Sequence, residues 1–106
     1  MAPHFKELTP EEAQKFIGAK KVHVVDIRDP QSFEDGHLKG AVNVGDSNLQ
    51  DFLASAERNQ PLICYCYHGI SSQMAAEYFV SQGFKEVCHI TGGFEGWKSA
   101  FPGTAV

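Results

Sequence analysis

Cys66 is the residue of this chain best placed to act as a nucleophile. It is the last strand residue in a run of apolar and weakly polar residues, 62–67, that is too short for an ordinary helix and fits a buried strand. Only residues 67–72 separate this strand from a segment with helical periodicity. The first N–H groups of a helix have no partner within it, so a strand, a tight loop and a helix start form an anion-binding site. A cysteine at the floor of such a site should have a lowered pKa and a nucleophilic thiolate. The pattern therefore predicts a reaction centre for an anionic substrate or intermediate.

The loop after Cys66 offers several groups that can hold an anion. Gly69 permits a backbone geometry that a side chain would obstruct. His68 is the loop residue that can carry a positive charge, when it is protonated. The serine hydroxyls can donate to a bound anion or cap the helix, and the backbone N–H groups lie at its positive end. The predicted substrate-binding residues are Tyr67, His68, Gly69, Ile70, Ser71 and Ser72.

Strands alternate with helices along the chain, which predicts an α/β fold. We expect a mainly parallel five-stranded sheet flanked by helices, with the ligand site at the carboxyl ends of the strands, where Cys66 falls. Thr9, Pro10 and Glu12 form a capping-box pattern at the first helix start. The predicted strands are residues 4–8, 22–27, 41–44, 62–66 and 86–90. The predicted helices run from Thr9 to Gly18, from Asp29 through Phe33, from Ser47 or Asn48 to Ala56, from the Cys66 loop to Gly83, and from the Thr91-Gly92-Gly93 turn to Pro102-Gly103.

Length and composition limit the function classes. A chain of 106 residues predicts one domain, spanning residues 1–106, and 42% hydrophobic residues are enough for a core. The formal net charge of −4 argues against nucleic acid or an anionic membrane as the main partner. Anion binding must then arise locally, from backbone dipoles in the loop.

The cysteine count bears on the compartment. The chain has three cysteines, an odd number, and residues 1–20 lack the apolar core of a signal peptide. Its apolar runs are all shorter than a membrane span. We therefore expect reduced thiols and a cytoplasmic protein.

Three motifs, in order, resemble those of one family. Residues 25–29 (VDIRD), followed by 33–41 (FEDGHLKGA), are similar to the N-terminal signature of rhodanese-homology domains. Residues 66–72 (CYHGISS) resemble the catalytic loop of that family, and residues 92–97 (GGFEGW) resemble its C-terminal signature. Together they cover nearly the whole chain. The resemblance implies a single rhodanese-like domain.

The same resemblance implies a thiosulfate sulfurtransferase. In this family the cysteine that matches Cys66 takes a sulfane sulfur from thiosulfate, releases sulfite and holds the sulfur as a persulfide. Cyanide or a cellular thiol, such as reduced thioredoxin, then removes it. No metal or organic cofactor is implied. Many thiosulfate-using rhodaneses carry Arg or Lys in the loop, whereas here the interior positions are Tyr67, His68, Gly69 and Ile70.

Other polar and thiol residues have simpler interpretations beside the functional ones. Cys64 and Cys88 are expected to be core residues, although with Cys66, His68 and His89 they also allow a metal-site interpretation that lacks the usual zinc-ligand spacing. Arg28 is interpreted as an ion-pair partner of Asp26 or Glu34, the alternative being a basic residue at the pocket rim. His37 is expected to be a hydrogen-bonded scaffold residue. Phe94, Trp97 and Phe101 are expected in the core.

Two further classes of function occur on the same fold. A cysteine phosphatase or arsenate reductase needs Cys-x5-Arg, and the position of that arginine is occupied by Ser72. A non-catalytic interaction module of the same fold typically lacks the cysteine that this chain keeps. Thiol sensing or persulfide transfer to a protein partner remains open, because it would use the same Cys66.

Overall fold

The sheet positions Cys66 at the end of its central strand. The structure is a computed structural model that describes residues 4–106. Within them, five parallel strands lie in the order β1-β5-β4-β2-β3 and five helices flank them, which confirms the predicted fold class. The elements are β1 Lys6–Leu8, α1 Pro10–Ala19, β2 His23–Asp26, α2 Pro30–Asp35, β3 Val42–Asn43, α3 Leu49–Ser55, β4 Leu62–Tyr65, α4 Ser71–Ser81, β5 Val87–Ile90 and α5 Gly93–Ala100.

Strand alternation divides the core into two layers. On β4, Leu62 and Cys64 face the layer that contains α3 and α4, whereas Ile63 and Tyr65 face the layer that contains α1 and α5. All four residues of β4 are buried, as expected for a parallel strand covered on both faces. Its neighbours β2 and β5 pair with it on either side. The residues that precede Cys66 therefore lie in the buried centre of the sheet.

Local sequence signals set several helix ends as predicted. The Thr9 hydroxyl accepts from the Glu12 N–H at 3.1 Å, and the Glu12 carboxylate accepts from the Thr9 N–H at 2.9 Å, which completes the capping box. Asp29 caps α2 through the Ser32 N–H at 3.1 Å. Gly83 follows α4 with a φ of +96°, the left-handed geometry that ends many helices.

Several predicted boundaries were wrong, among them those of the fourth strand and of the first two helices. The fourth strand ends at Tyr65, so Cys66 lies just beyond it, because the Cys66 carbonyl accepts from the Phe94 N–H of α5 at 2.8 Å. The first helix continues through Gly18 to Ala19, because Gly18 lacks the left-handed backbone of a C-cap. The α2 helix continues to Asp35 rather than ending at Phe33.

The apolar residues of α4 differ in burial. Phe79 is buried and Ala75 packs against the core, but Met74 is 78% exposed and Tyr78 is 37% exposed. Ala76 is fully buried in their place. The helix is rotated so that small residues near its start approach the sheet.

Several side chains occupy the structural roles expected of them. The His37 ring stacks on Phe33 at 3.8 Å between centroids, and its Nδ1 lies 2.7 Å from the Phe33 carbonyl oxygen. Phe94 and Trp97 are buried and Phe101 packs against them. Within residues 4–106, no helix has the length and apolarity that crossing a membrane requires.

Candidate active site

The Cys66 sulfur sits at the N-terminal end of α4, in the loop formed by residues 66–72 (the Cys66 loop). Its Sγ accepts from the Gly69 N–H at 3.1 Å and from the Ser72 N–H at 3.3 Å. The Ser72 Oγ, 3.4 Å from Sγ, is the third polar atom within hydrogen-bond distance of the sulfur. Cys66 is 7% exposed, and Ser72 is fully buried beneath it. The sulfur is therefore surrounded by donors and shielded from most of the solvent.

These hydrogen bonds control the protonation of the thiol. Burial by itself would raise the pKa of Cys66. The Ser72 hydroxyl, the Ser72 N–H and the N–H groups of Gly69 and His68 act in the opposite direction, and the pKa falls below its ordinary value of 9.0. Hydrogen bonds to a charged acceptor stabilise the charged form, so the thiolate is favoured.

Replacing Ser72 by alanine tests this electrostatic effect. We expect Ser72→Ala to raise the pKa of Cys66, so that less thiolate is present at pH 7. Alkylation of Cys66 by iodoacetamide should slow about tenfold, since a hydrogen bond to a charged group contributes about 1.5–3 kcal/mol. Because the parent pKa is lowered, its alkylation rate should decline only at a lower pH than that of the variant. Ser81→Ala, at the far end of α4, is the matched control; equal rates for all three proteins would contradict the role of Ser72.

Backbone hydrogen bonds from the start of α5 fix the position of the Cys66 loop. The Phe94 N–H donates to the Cys66 carbonyl at 2.8 Å, and the Glu95 N–H donates to the Tyr67 carbonyl at 3.1 Å. A Cβ on Gly93 would lie 2.5 Å from the Cys66 carbonyl oxygen, closer than side chains tolerate. Gly69 has a φ of +86°, and a Cβ there would meet the Gly92 nitrogen at 2.8 Å. The two glycine segments therefore allow the loop and the start of α5 to pack backbone against backbone.

The loop leaves further donors free for an anion. Among residues 4–106, the backbone N–H groups of Tyr67, Ile70 and Ser71 donate to no other group of the protein. The side chains of Tyr67, His68, Ile70 and Ser71 are exposed, and none of them hydrogen-bonds to Sγ. The Gly69 carbonyl is turned away and accepts from the Gln73 side chain at 2.9 Å. Of the six predicted binding residues, the structure brings Gly69 and Ser72 into direct contact with Sγ through Gly69 N–H, Ser72 N–H and Ser72 Oγ.

A buried arginine lies under the same loop. Arg28 Nη2 is 2.7 Å from Asp26 Oδ2 and donates to the Gly36 carbonyl at 2.6 Å. Burial alone would lower the pKa of Arg28, but the hydrogen bond and charge of Asp26 hold it above its usual value. Its guanidinium carbon is 4.1 Å from the Phe94 ring centroid and 5.0 Å from that of Tyr67. The ion pair with Asp26 confirms the structural interpretation of this residue. Its guanidinium also faces the ring of Tyr67 in the Cys66 loop.

Comparison with known proteins agrees with this geometry. Residues 9–100 match the family model of the rhodanese-like domain. The chain belongs to the rhodanese-like domain family. It is 45% identical over 102 residues to the thiosulfate sulfurtransferase GlpE of Pseudomonas aeruginosa strain LESB58, covering 96% of this chain and 92% of that protein. It is 49% identical over 98 residues to the GlpE protein of Stutzerimonas stutzeri strain A1501, covering 92% and 89%.

Solved structures agree in fold. A rhodanese-related protein from Thermoplasma volcanium superposes with a TM-score of 0.81 at 22% identity, covering 96% of this chain and 98% of that one. The single rhodanese-like domain predicted from the sequence is therefore confirmed.

The other two cysteines of this rhodanese-like domain are core residues, as predicted. Burial raises the pKa of Cys64 far above its ordinary value and raises that of Cys88 to about 11. The Cys64 Sγ points to the backbone carbonyls of Ser72 and Cys88, at 3.5 and 3.7 Å. Within residues 4–106, no group of three or more His, Cys, Asp or Glu side chains is arranged to hold a metal ion.

Sequence reasoning missed two residues that belong to this site. His89 on β5 is buried, and its Nδ1 lies 2.9 Å from Ser72 Oγ. Its Nε2 lies 3.0 Å from the Glu7 carboxylate on β1. A histidine in the middle of an otherwise apolar strand was the only sequence signal, and it does not reveal which residues it meets.

Proposed function

We propose that this protein is a thiosulfate sulfurtransferase in which Cys66 is the nucleophile. The observation that carries the proposal is the Cys66 sulfur at the start of α4, with two backbone N–H groups and one hydroxyl directed at it and a lowered pKa. The GlpE name of its relatives supports the choice of thiosulfate as donor.

In the first half-reaction, the Cys66 thiolate attacks the outer sulfur of thiosulfate. A new S–S bond forms at Sγ, the S–S bond of thiosulfate breaks, and sulfite leaves with the electron pair of that bond. The product is a persulfide whose negative charge lies on the terminal sulfur. No electron leaves the pair of reactants, so this step requires no redox cofactor or metal.

The loop is suited to both anions of this step. Thiosulfate carries two negative charges, and the free N–H groups of Tyr67, Ile70 and Ser71 lie at the positive end of α4. His68 adds a positive charge to the Cys66 loop when it is protonated. The −4 net charge of the chain gives no general attraction for anions, so binding depends on these local groups.

In the second half-reaction, a nucleophile takes the terminal sulfur and Cys66 leaves as a thiolate. Cyanide would yield thiocyanate, and a thiol would become a persulfide itself. We propose a cellular thiol, such as that of reduced thioredoxin, as the acceptor, and a reducing compartment such as the cytoplasm as the location. All three cysteines are free, which is compatible with this setting.

Intact mass after incubation with thiosulfate tests the proposal directly. We expect a gain of one sulfur atom, its loss on adding cyanide, and thiocyanate in equal amount. Parallel incubation with sulfite alone is the control, because it lacks the transferable sulfur. An unchanged mass, with Cys66 still open to alkylation, would exclude thiosulfate as the donor.

A further inference from the structure

A continuous chain of hydrogen bonds leads from Cys66 to the surface of the sheet edge. Cys66 Sγ is 3.4 Å from Ser72 Oγ, which is 2.9 Å from His89 Nδ1. His89 Nε2 is 3.0 Å from Glu7 Oε2. The His89 side chain is 1% exposed, whereas that of Glu7 is 54% exposed. Two side chains, those of Ser72 and His89, therefore connect the nucleophile with the solvent-exposed carboxylate of Glu7.

Counting protons determines how this chain is arranged when Cys66 is a thiolate. A thiolate only accepts, so the Ser72 hydroxyl gives its single proton to Sγ. The Ser72 oxygen must then accept from Nδ1–H of His89. An ionised Glu7 also only accepts, so the contact at Nε2 requires a second proton on the ring. His89 is therefore an imidazolium whenever the thiolate keeps all of these contacts.

When Cys66 is a thiol, the hydrogen bonds from Cys66 to Ser72 and from Ser72 to His89 run in the opposite direction, and no heavy atom has to move. The S–H of Cys66 donates to Ser72 Oγ, and the Ser72 hydroxyl donates to Nδ1 of a neutral ring that keeps its proton on Nε2. The two forms differ by two proton transfers, one from Sγ to Ser72 Oγ and one from Ser72 Oγ to Nδ1. A proton thus leaves the sulfur and remains inside the protein.

The surroundings of His89 suit a positive charge placed between two negative ones. The titratable groups that face it are Glu7 on β1, Cys66 in its loop and Cys64 on β4, and the last is neutral because burial raises its pKa. The neighbouring Phe5 ring meets the imidazole edge to face at 5.4 Å between centroids, which excludes water from that side. On α4 the contact is made by Ser72, which does not titrate. The imidazolium would therefore have a carboxylate on one side and the thiolate, through one hydroxyl, on the other.

We propose that Ser72, His89 and Glu7 form a proton relay that takes the thiol proton of Cys66 and holds it on His89. The inference rests on the proposed function only in taking Cys66 as the nucleophile. Ser72 touches the reacting sulfur, whereas His89 and Glu7 are positioning residues that act through it. The relay makes the resting nucleophile one half of an internal ion pair.

The pH dependence of Cys66 alkylation by iodoacetamide tests the relay without requiring turnover. Glu7→Gln keeps an acceptor for Nε2–H but removes the charge, and should slow alkylation at pH 7 about twofold to fivefold, as expected for a partly exposed ion pair. His89→Asn keeps a polar group near Ser72 but cannot take up a proton, and should slow it about tenfold or more. In both variants the midpoint of the profile should move to higher pH.

Glu86→Gln is the matched control. Glu86 precedes β5 and pairs with Lys6 of β1 at 3.3 Å, outside the relay, so the profile of Glu86→Gln should match that of the parent protein. Since Glu7 is half exposed, Glu7→Gln should fold even if His89→Asn does not. If both variants fold and the midpoint of neither alkylation profile moves, the relay is overturned. If His89→Asn does not fold, an unchanged midpoint in Glu7→Gln alone overturns it.

Nitrogen-15 NMR of the histidine ring provides a second readout that a purely structural role would not change. At a pH where Cys66 is alkylated rapidly, His89 should show two protonated ring nitrogens in the parent protein and a neutral ring in Cys66→Ser. A neutral ring in both proteins would overturn the proposal. The proposed function and the relay can fail independently. If the parent protein takes up no sulfur but the alkylation profiles of the relay variants are shifted, only thiosulfate as the donor is excluded. If uptake is normal but the profiles are unshifted, only the relay is excluded.

Discussion

Cys66→Ser should abolish sulfur uptake from thiosulfate and reduce the rate of thiocyanate formation by at least about 10³-fold, in the range that loss of a nucleophile costs. The serine hydroxyl is nearly the size of the thiol but is not ionised at neutral pH, so it cannot attack the outer sulfur. Because the same donors can bind the serine oxygen, we expect the fold and its stability to be retained. Intact mass and a thiocyanate assay measure the first effect, and thermal unfolding measures the second.

Cys64→Ser is the matched control for that experiment. Cys64 lies two residues earlier in the chain, is fully buried, and is kept as a thiol by its raised pKa. A serine there can donate to the Ser72 or Cys88 carbonyl that Sγ already faces. We expect sulfur uptake and turnover close to those of the parent protein. A loss as large as that of Cys66→Ser would show that the nucleophile is misassigned.

Gly93→Ala should destabilise the protein by about 2–5 kcal/mol and release the Cys66 loop, because backbone strain and overpacking each cost about 1–3 kcal/mol. Gly93 has a φ of +59°, and an added Cβ would lie 2.5 Å from the Cys66 carbonyl oxygen and 2.6 Å from that of Tyr67. These are backbone atoms that cannot rotate away. The start of α5 would therefore move, and the hydrogen bonds that it donates to the loop would lengthen. Urea unfolding measures the stability, and alkylation of Cys66 in the folded protein measures the state of the loop.

Gly18→Ala is the matched control for this substitution. Gly18 lies inside α1, has no atom within 4 Å of the added Cβ and lacks a left-handed backbone. Alanine is the better helix former by about 1 kcal/mol, so we expect equal or greater stability and unchanged Cys66 reactivity. If Gly93→Ala matched Gly18→Ala in both stability and Cys66 reactivity, the close packing of α5 on the loop would not be needed to position the sulfur.

The sequence by itself determined the features that depend on neighbours in the chain. The capping box at Thr9 and the left-handed glycine at residue 83 are local devices, so their residues predict their geometry. The Cys66 loop is local as well, because it joins a buried strand to a helix within seven residues, 66–72. Rhodanese-like motifs at three places then predicted the fold as a whole, which the family match confirms.

The tertiary structure decided how these elements face one another. Met74 and Tyr78 are exposed because packing on the sheet, and not the apolar pattern alone, sets the rotation of α4. The fourth strand ends before Cys66 because the Cys66 carbonyl accepts from the N–H of Phe94 in α5, 28 positions further along the chain. Glu7 and His89 are separated by 82 positions and meet only because β1 pairs with β5. Hydrogen bonds between residues so far apart in the chain cannot be predicted from a local sequence pattern, because the order and register of the strands determine which residues meet.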